Sequence, residues 1–473
     1  MIGRLKPYPE YKESGVPWLG RIPAHWTVAR IKSILRELDR RSTDGEGVLL
    51  SLTRLRGLIP QTEASARMHG AKTLVGYKLY HPGQIVMNRM QAWSGMFGAR
   101  DLPGLVSSDY SVFQIVGDHH VRFLLYRLKS PDLVGRFAIE SKGIGSGFNR
   151  LYTDRFGPIP ITFPAPDEQA AIVRFLDHLN HRLERAIRAK KELIALLNEQ
   201  KQAIIHRAVT RGLDPDIRLK PSGILWMGDV PANWQLKRIA HVASILTGYP
   251  FPSTGFSQSG KDVRLLRGIN VTPGAIRWGD VVRWPERGAG QMNEFRLRVG
   301  DIVLGMDRPI VRGGIRVAVL TDEDVPSLLL QRVARLRPFE GVHRDFLALL
   351  LSGKCFLDYL APIFTGVSVP HISPHQIGGY KCAFPSHDEQ CGIVDWIAEH
   401  TSSLNTAIER AQCEIDLIRE YRTRISADVV TGQLDVREVS RTLPAEIDAT
   451  EPSVDTVDED ESEELLEAVA DNE

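Results

Sequence analysis

Two stretches of the chain carry the spacing of apolar residues that is typical of an amphipathic helix. Between Asp167 and about Thr210 the sequence contains no glycine or proline, and apolar residues recur at steps of three and four positions or their multiples. The stretch from Asp388 to about Thr431 repeats this pattern 221 residues later. The spacing predicts two helices of about 40 residues, each roughly 60 Å long at 1.5 Å per residue.

The ends of both helices carry helix start and stop signals. Asp167 and Asp388 are predicted N-caps, each followed by an acidic residue that suits the positive end of a helix dipole. Gly212 and Gly432 are the predicted stops. Helices of this kind need a packing partner in water, so we expect the two apolar stripes to meet as an antiparallel coiled coil. The alternative is that each helix packs on its own globular domain.

The remainder of the chain alternates short β-branched runs with glycine and proline, which favours short strands, long loops and an α+β fold.

The order of motifs along the chain occurs twice. The Trp-x-Gly-x-x-Pro-x-x-Trp motif ending at Trp26 returns ending at Trp234, and Pro164–Gln169 returns as Pro385–Gln390. A repeat this long is a duplicated domain and implies a pseudo-twofold molecule. The predicted organisation is a first globular domain 1–163, a first long helix 164–213, a second globular domain 214–384, a second long helix 385–435 and an acidic disordered tail 436–473.

Composition narrows the class of protein. With 43% hydrophobic and 25% charged residues, the 473-residue chain is predicted to be globular and soluble. Four cysteines without a Cys-x-x-Cys pair argue against a disulfide framework or zinc cluster and favour the cytoplasm. The start of the chain lacks the apolar core of a signal peptide, and the longest apolar run, 346–351, is too short to span a bilayer, so no membrane role is expected.

The formal net charge of +1 conceals an asymmetry along the chain. Residues 442–473 hold 13 of the 58 acidic side chains and none of the 59 basic ones, which leaves +14 on residues 1–441. A body this basic favours a polyanionic partner, whereas the acidic end is expected to be a solvated tail.

Sequence patterns that imitate a nucleotide-binding site are weak. Gly255 to Lys261 has the glycine and lysine spacing of a phosphate loop, but Asp262 stands where a hydroxyl should bind magnesium. The glycines of 143–147 lack the strand before and the helix after that a dinucleotide loop requires.

Catalytic patterns are equally weak. Asp132, Glu140 and Lys142 imitate a nuclease triad, yet they are expected on one solvated stretch, and His371 with His375 has too few neighbouring ligands for a metal. The chain contains no Pro-Pro pair, so it lacks the Asp/Asn-Pro-Pro-aromatic loop of amino-methyltransferases. No catalytic residue, metal site or cofactor of its own is predicted.

Candidate DNA contacts are clusters of side chains that can bind base edges or phosphates, on predicted loops beside aromatic residues and glycines. For each member an ordinary surface charge is an equal alternative, so the prediction rests on the clusters. In the first globular domain they are Asn88, Arg89, Gln91, Trp93, Ser94, Ser108, Tyr110, Lys142, Asn149 and Arg150. In the second they are Arg264, Arg267, Asn270, Arg308, Arg312, Gln331 and Arg332.

The duplicated tryptophan motifs, the paired Pro-x-x-Asp-Glu-Gln segments and the long helices after them resemble the specificity subunits of type I restriction–modification systems. The resemblance covers nearly all of the chain except the acidic end. It implies that each globular part is a target recognition domain for one half of a split DNA sequence, and that the helices form a spacer between the halves.

The resemblance also implies the partners. They are double-stranded DNA, two modification subunits that bind S-adenosylmethionine and methylate adenine, and restriction subunits that use ATP and magnesium. The chain itself would be non-catalytic. The alternative function is a duplicated coiled-coil adaptor that organises a protein complex without contacting bases. The motif tryptophans are expected to anchor each domain to the helices, with a lesser possibility of contact with the modification subunits.

Overall fold

A computed structural model describes residues 5–54, 56–64, 73–143, 149–311, 314–364 and 370–444. The chain divides into two compact units. Within these residues, the first unit contains the chain up to Lys191 and again from Gln412, and the second unit is Glu192–Ala411. Each unit therefore contains one globular domain and a part of both long helices.

The described residues up to the end of the first long helix form twelve strands and six α-helices. The strands are β1 Tyr11–Glu13, β2 Arg21–Pro23, β3 Thr27–Arg30, β4 Leu35–Leu38, β5 Leu50–Thr53, β6 Gly57–Pro60, β7 Lys78–Tyr80, β8 Gln84–Asn88, β9 Phe97–Gly98, β10 Gly104–Val106, β11 Tyr110–Ile115 and β12 Pro160–Phe163. The helices are α1 Ile31–Ile34, α2 Gln61–Ala64, α3 Val121–Leu128, α4 Pro131–Glu140, α5 Thr153–Phe156 and α6 Pro166–Arg211.

The chain after α6 forms fifteen strands and six helices within the described residues. The strands are β13 Leu219–Pro221, β14 Asp229–Pro231, β15 Gln235–Arg238, β16 Ala243–Thr247, β17 Val263–Leu266, β18 Val271–Thr272, β19 Ala275–Ile276, β20 Val282–Trp284, β21 Ile302–Gly305, β22 Ile310–Val311, β23 Gly314–Ile315, β24 Val317–Val319, β25 Ser327–Leu329, β26 Val333–Pro338 and β27 Lys381–Phe384. The helices are α7 Glu286–Ala289, α8 Arg344–Ser352, α9 Lys354–Phe364, α10 Pro374–Gly379, α11 His387–Val430 and α12 Arg437–Arg441.

A four-stranded antiparallel sheet lies at the centre of each globular domain. Its order is β4-β11-β8-β9 in the first unit and β16-β26-β21-β24 in the second, so the duplication seen in the motifs extends to the topology. The central strand β8 is buried along its whole length, as is β21. The smaller sheets differ between the domains: β20-β17-β25 in the second unit is three-stranded, with β17 and β25 parallel.

Helices α3 to α5 complete the core of the first domain. Phe97 of the sheet lies in a cluster with Phe137 of α4 and Phe156 of α5, at ring-centroid distances of 5.3 to 5.7 Å that also include Phe113. Large rings at these separations supply much of the apolar area that a domain of this size can bury. Helices α8 and α9 contribute Phe346 and Phe356 to the second core in the same way.

The two long helices run antiparallel within the first unit. Glu184 of α6 pairs with Arg422 of α11, and Lys190 of α6 pairs with Glu414 of α11, so the numbering rises along one helix as it falls along the other. The apolar stripe of α6 enters a core that it shares with α11 and with the globular domain. The two packing alternatives are therefore combined: the helices contact each other and the domain at once.

In the second unit, too, both long helices pack in one core with the globular domain. Ile205 and Val209 of α6 lie in one core with Ile393 and Ile397 of α11 and with the sheet of the second domain. The predicted α+β class and the two long helices are confirmed. The helices contain 46 and 44 residues, slightly more than the apolar periodicity predicted.

The predicted N-caps are wrong by about two positions. Helix α6 begins at Pro166 and α11 at His387, which places Asp167 and Asp388 inside the first turn. The carbonyl of Ala165 accepts from the amides of Glu168 and Gln169, and Ser386 accepts through its hydroxyl from the amide of Glu389 at 3.3 Å. The acidic residues still face the positive helix end, as expected.

The predicted helix stops are confirmed. Gly212 has φ +72° and Gly432 has φ +79°, the left-handed region that glycine adopts without a Cβ penalty. At Gly432 a Cβ would also lie 2.5 Å from Cδ of Pro23, so only glycine fits the close approach of this helix end to the first tryptophan motif.

The predicted start of the acidic tail at residue 436 is wrong. Val436, Val439 and Leu443 are buried in the core of the first unit, and Val439 lies within α12. Apolar residues three and four positions apart gave this short helix a face to bury. The rest of the predicted tail, from 445 onward, lies outside the described residues.

Within the described ranges, no single helix has both the length and the apolarity needed to cross a bilayer. Helices α8 and α9 reach that threshold only when counted together, and a 47° bend separates them. Both contribute buried side chains to the second core.

Candidate nucleic-acid interface

The tryptophan motif and the Asp-Glu-Gln segment form one contact that attaches each domain to its long helix. The indole Nε1 of Trp26 donates to Oε1 of Glu168 at 2.9 Å, and Trp234 donates to Oε1 of Glu389 at 2.9 Å. Both indoles are fully buried. The tryptophans at the ends of the motifs are therefore anchors between domain and helix, as expected, while Trp18 and Trp226 pack at the margins of the same cores.

The glutamine of the segment makes a second attachment. The side-chain oxygen of Gln169 accepts from the amide of His120 at 2.9 Å, and that of Gln390 accepts from the amide of His343 at 2.8 Å. Both histidines precede the first turn of a domain helix, α3 or α8. Each motif thus holds the starts of two helices together, and the domain cannot rotate freely on its long helix.

The first domain has additional contacts at this point. Glu168 also accepts from the hydroxyl of Tyr8 at 2.7 Å and contacts His25 Nε2 at 2.8 Å. Burial and the hydrogen bond to Glu168 raise the pKa of Tyr8, so its phenol remains a donor at neutral pH. The guanidinium of Arg437 lies 5.1 Å from the Tyr8 ring centroid, which ties the end of the described chain to the same cluster.

Three loops meet at one edge of the four-stranded sheet in the first domain. The loop after β8 begins with Arg89, whose guanidinium donates to the carbonyls of Asp109 at 2.7 Å and Ser108 at 3.2 Å in the loop before β11. The carbonyl of Arg89 accepts from the amide of Leu151 at 2.9 Å, which brings in the third loop. The described members of the three predicted clusters of this domain, in 88–94, 107–110 and at 142 and 149–150, therefore form one surface.

The predicted contact residues of the first surface differ in their exposure to solvent. Gln91, Trp93, Ser108, Lys142 and Asn149 are exposed. The remaining members, Asn88, Arg89, Ser94, Tyr110 and Arg150, are partly or fully buried. Asn88 bonds to Gln91 and to the amide of Met90, Tyr110 packs on the smaller apolar core, and Ser94 donates to the carbonyl of Gln91.

The equivalent edge of the second domain has the same construction with the charges exchanged. Asp307 follows β21, and its two carboxylate oxygens contact Arg332 Nη1 and His371 Nδ1, each at 2.5 Å. Arg332 immediately precedes β26, as Asp109 precedes β11. The amide of Ile372 donates to the carbonyl of Met306 at 2.9 Å, and that of Arg308 donates to Pro370 at 2.8 Å. Again three loops form one surface.

The carboxylate of Asp307 determines the electrostatics of this second surface. Burial raises the pKa of Asp307, but the hydrogen bonds from Arg332 and His371 outweigh that effect and hold it below its usual value. Asp307 is therefore ionised at neutral pH. The side chains of Arg332 and His371 remain 65% and 49% exposed, so both can reach a ligand while they are held.

The other candidates of the second domain have intramolecular partners. Arg264 lies over the Trp278 ring at 4.3 Å, and Arg267 pairs with Asp280 at 2.6 Å. Asn270 is buried, accepts from the amide of Arg267 and donates to two backbone carbonyls, so the geometry favours a role in closing its loop over the predicted base contact. Gln331 is exposed beside Arg332, and Arg312 lies outside the described residues.

The patterns that imitate catalytic sites have ordinary structural roles. Asp132 pairs with the fully buried Arg127 at 2.8 Å, and Glu140 pairs with Arg136 in the next turn. Lys261 leads into strand β17, whereas a phosphate loop leads into a helix. Among the described residues, no group of three or more histidine, cysteine and acidic side chains is arranged to hold a metal ion.

Sequence reasoning missed Asp307 and treated His371 only as a weak metal ligand. The search for DNA contacts favoured basic and amide side chains, so an acidic residue that orients them was not considered. A usable signal was present: Asp307 lies two residues after a strongly apolar strand and directly precedes a predicted contact, Arg308.

Comparison with known proteins is consistent with this architecture. No protein-family model matches the chain. The type I restriction enzyme MjaVIII specificity subunit of Methanocaldococcus jannaschii is 28% identical over 319 residues, which is 67% of this chain and 71% of the relative. The type I restriction enzyme EcoAI specificity subunit of Escherichia coli is 35% identical over 178 residues, covering 37% of this chain and 30% of that relative.

A solved chain from work on complex assembly and conformational transition of the type I R-M system has the same overall fold. The match has a TM-score of 0.53 and 15% identity, and it covers 86% of this chain and 98% of the other. This likeness shows a shared fold. The predicted resemblance is confirmed: the chain is similar to type I restriction enzyme specificity subunits.

Proposed function

We propose that this chain is the DNA sequence-specificity subunit of a type I restriction–modification complex. It contacts a bipartite DNA target through its two domains and positions the modification and restriction subunits on it. The observation that carries the proposal is the repeated three-loop surface at the same edge of the same sheet in both units. A duplicated fold with a duplicated surface suits a target with two halves.

The chemistry of both surfaces supports contact with DNA. Their exposed members include Gln91, Lys142 and Asn149 in the first unit and Gln331 and Arg332 in the second. Amide and guanidinium groups bond base edges in the major groove, and lysines contact phosphates. The net charge of +14 on residues 1–441 strengthens binding to any duplex.

The long helices support a spacer role in the same proposal. Each helix has one part in the first unit and one part in the second. A 46-residue helix is about 70 Å long, so its length would set the number of base pairs between the two half-sites.

Catalysis and cofactors belong to the partners in this proposal. S-adenosylmethionine would bind the modification subunits, and ATP and magnesium the restriction subunits, all in the cytoplasm. This chain would bind the DNA, orient the partner subunits and set the spacing between the two half-sites.

The experiment that tests the proposal maps methylated adenines in cells that express the chain with its modification subunit. Residues 27–163 are replaced by those of a relative with another target. We expect one half of the methylated motif to change and the other half and the spacing to persist. Replacement of 235–384 is the matched control and should change the opposite half. An unchanged motif in both chimaeras would instead favour an adaptor that does not contact bases.

A further inference from the structure

A basic pocket in the first unit is formed by residues other than the predicted DNA contacts. It has a volume of about 340 Å³ and lies between the β5–β6 hairpin, the junction of α3 with α4, and both long helices. The charged residues described in its lining are Arg54, Arg56, Lys129, Glu184 and Arg422. With four cations and one carboxylate the lining is net positive, and a concave surface of one sign concentrates its field on an anion.

The carboxylate described in this lining does not neutralise all of the cations. Glu184 is buried and pairs with Arg422, and Arg56 donates Nη2 to the carbonyl of Glu63 in α2. Among the residues that the structure describes, the guanidinium of Arg54 and the ammonium of Lys129 have no hydrogen-bond or ion-pair partner. Both residues are exposed. Two cations of the pocket are therefore available to a ligand.

The hairpin that carries Arg54 is held firmly against the central sheet. Thr53 Oγ1 accepts from the amide of Arg56 at 3.2 Å, which closes the turn. The hairpin backbone passes so close to Gly98 of β9 that a Cβ on Gly98 would lie 3.0 Å from the nitrogen of Leu58. The backbone on both sides of Arg54 is thus fixed by contacts within the first domain.

Lys129 places the pocket beside the first surface. Its amide donates to the carbonyl of Leu125 at 3.1 Å, so it is held at the end of α3. Its Cα lies 3.9 Å from the position of a Cβ on Gly95, the residue that directly follows the loop 88–94. A duplex that contacts this loop therefore passes close to the pocket.

The second domain does not repeat this lysine. Ser352 stands nine residues after His343, as Lys129 stands nine residues after His120, and the two histidines make the same bond to the glutamine of their long helix. Ser352 is neutral, and its hydroxyl donates to the carbonyl of Ala348 in its own helix at 2.9 Å. A cation at this position is therefore a property of the first unit.

We propose that this pocket binds one backbone phosphate of the DNA duplex, and that Arg54 and Lys129 bond its nonbridging oxygens. The role in DNA binding rests on the proposed function. Every base pair carries the same phosphates, so the site contributes affinity and fixes the position of the first domain without distinguishing bases. Neutralising a phosphate also releases counterions, so the contact makes binding more dependent on salt.

The test measures the affinity of the full-length chain for a duplex of mixed sequence over a range of salt concentrations. In Arg54→Gln/Lys129→Gln we expect the slope of log K against log salt to become shallower by about 0.9, the value for one phosphate. This corresponds to roughly fivefold weaker binding at about 0.15 M salt, relative to a reference at about 1 M. The motif selected from a randomised pool should not change. Arg54→Lys/Lys129→Arg keeps both charges and should restore most of the slope.

Lys12→Gln/Arg36→Gln is the matched control. Both residues are exposed cations of the first unit, and Arg36 lies opposite Gln114, at the other end of β11 from the first surface. This variant also removes two charges and should leave the slope unchanged.

Three results would overturn the proposal: an unchanged slope in Arg54→Gln/Lys129→Gln, an equal change in the control variant, or an altered motif. Calorimetry with AMP tests a free nucleotide as the source of the phosphate. AMP binding that is lost in the variant, with an unchanged slope on DNA, would also overturn it. Failure of the proposed function is distinguishable, because the wild-type chain would then select no motif while the salt slope still tests the pocket.

Discussion

The indole of Trp26 and the carboxylate of Glu168 are hydrogen-bonded at 2.9 Å in the core of the first unit, although 142 residues separate them in the chain. The same bond joins Trp234 to Glu389 in the second unit. Glu168 also holds Tyr8 and His25, whereas Trp234 is the side-chain donor described for Glu389. Both attachments use a Trp–Glu hydrogen bond, and Glu168 has further contacts that are not described for Glu389.

This difference predicts unequal effects of removing the carboxylate. Glu168→Ala leaves the buried donors of Trp26 and Tyr8 without an acceptor, so we expect it to lower the free energy of unfolding by about 3 kcal/mol. Glu389→Ala should cost roughly 1–2 kcal/mol, because it removes one such bond. Urea unfolding followed by circular dichroism measures both. Equal losses would show that the additional bonds of Glu168 contribute nothing.

The ends of the long helices give a second matched pair. Gly432→Ala is expected to lower the free energy of unfolding by roughly 3 kcal/mol, because it adds a left-handed alanine and places Cβ 2.5 Å from Pro23. At Gly212 the nearest atoms are 3.4 Å away, so Gly212→Ala should cost only the backbone strain, about 1 kcal/mol. Thermal unfolding ranks the two variants, and the reverse order would contradict the close approach at Pro23.

The Arg127–Asp132 pair predicts a dependence of stability on pH. Burial raises the pKa of Asp132, but Arg127 and Ser130 outweigh it, so the pKa lies below its usual value. The stabilisation is therefore fully present above the ordinary carboxyl range, about pH 4, and is lost as the pH falls through the lower folded value. Asp132→Asn should reduce stability at pH 7 by about 3 kcal/mol and flatten the acid limb of the stability curve.

Asp154→Asn is the control for this measurement. Asp154 is an exposed carboxylate in the same unit, and its replacement should change stability by no more than about 0.5 kcal/mol. Urea titrations between pH 2 and pH 7 provide both comparisons. An acid limb that is unchanged in Asp132→Asn would assign the pH dependence to other groups.

The spacer role predicts a change in target geometry when the helices are lengthened. Insertion of seven residues after Lys191 and seven before Gln412 adds about 10 Å to each helix and nearly preserves the facing of the apolar stripe. We expect the gap between half-sites to grow by about three base pairs, at 3.4 Å each, while both half-sites keep their sequence. Methylation mapping reads the gap directly. With an insertion in one helix alone, the contacts of Glu184 with Arg422 and of Ile205 with Ile397 cannot both keep their register, so we expect methylation to be abolished.

The parts of this fold that could be predicted are those with a strong local signal. The long helices follow from apolar periodicity over more than 40 residues, and their stops from Gly212 and Gly432. The caps were missed because a backbone carbonyl at Ala165 and the hydroxyl of Ser386 serve there, although an aspartate stands nearby. Start signals within one turn of each other cannot be ranked from sequence alone.

The candidate interface was predictable as clusters but not as surfaces. Arg89 and Ser108 are brought together by the pairing of β8 with β11, and strand register is a tertiary property that four- to six-residue runs do not specify. Asp307 was missed because its contribution consists of orienting Arg332 and His371, and those partners lie 25 and 64 residues away.

The division of the chain also bears on the order in which the protein can fold during synthesis. Among the residues that the structure describes, the second unit is one continuous segment, Glu192–Ala411, whereas the first needs residues from both sides of that segment. Tyr11 bonds the carbonyl of Gly432 at 3.2 Å, and the amide of Asp435 donates to Lys6 at 2.8 Å. The ribosome synthesises the whole described second unit before it makes Gly432 and Asp435. The residues translated first are therefore among the last to reach their native neighbours, the reverse of the usual sequence for domains in tandem.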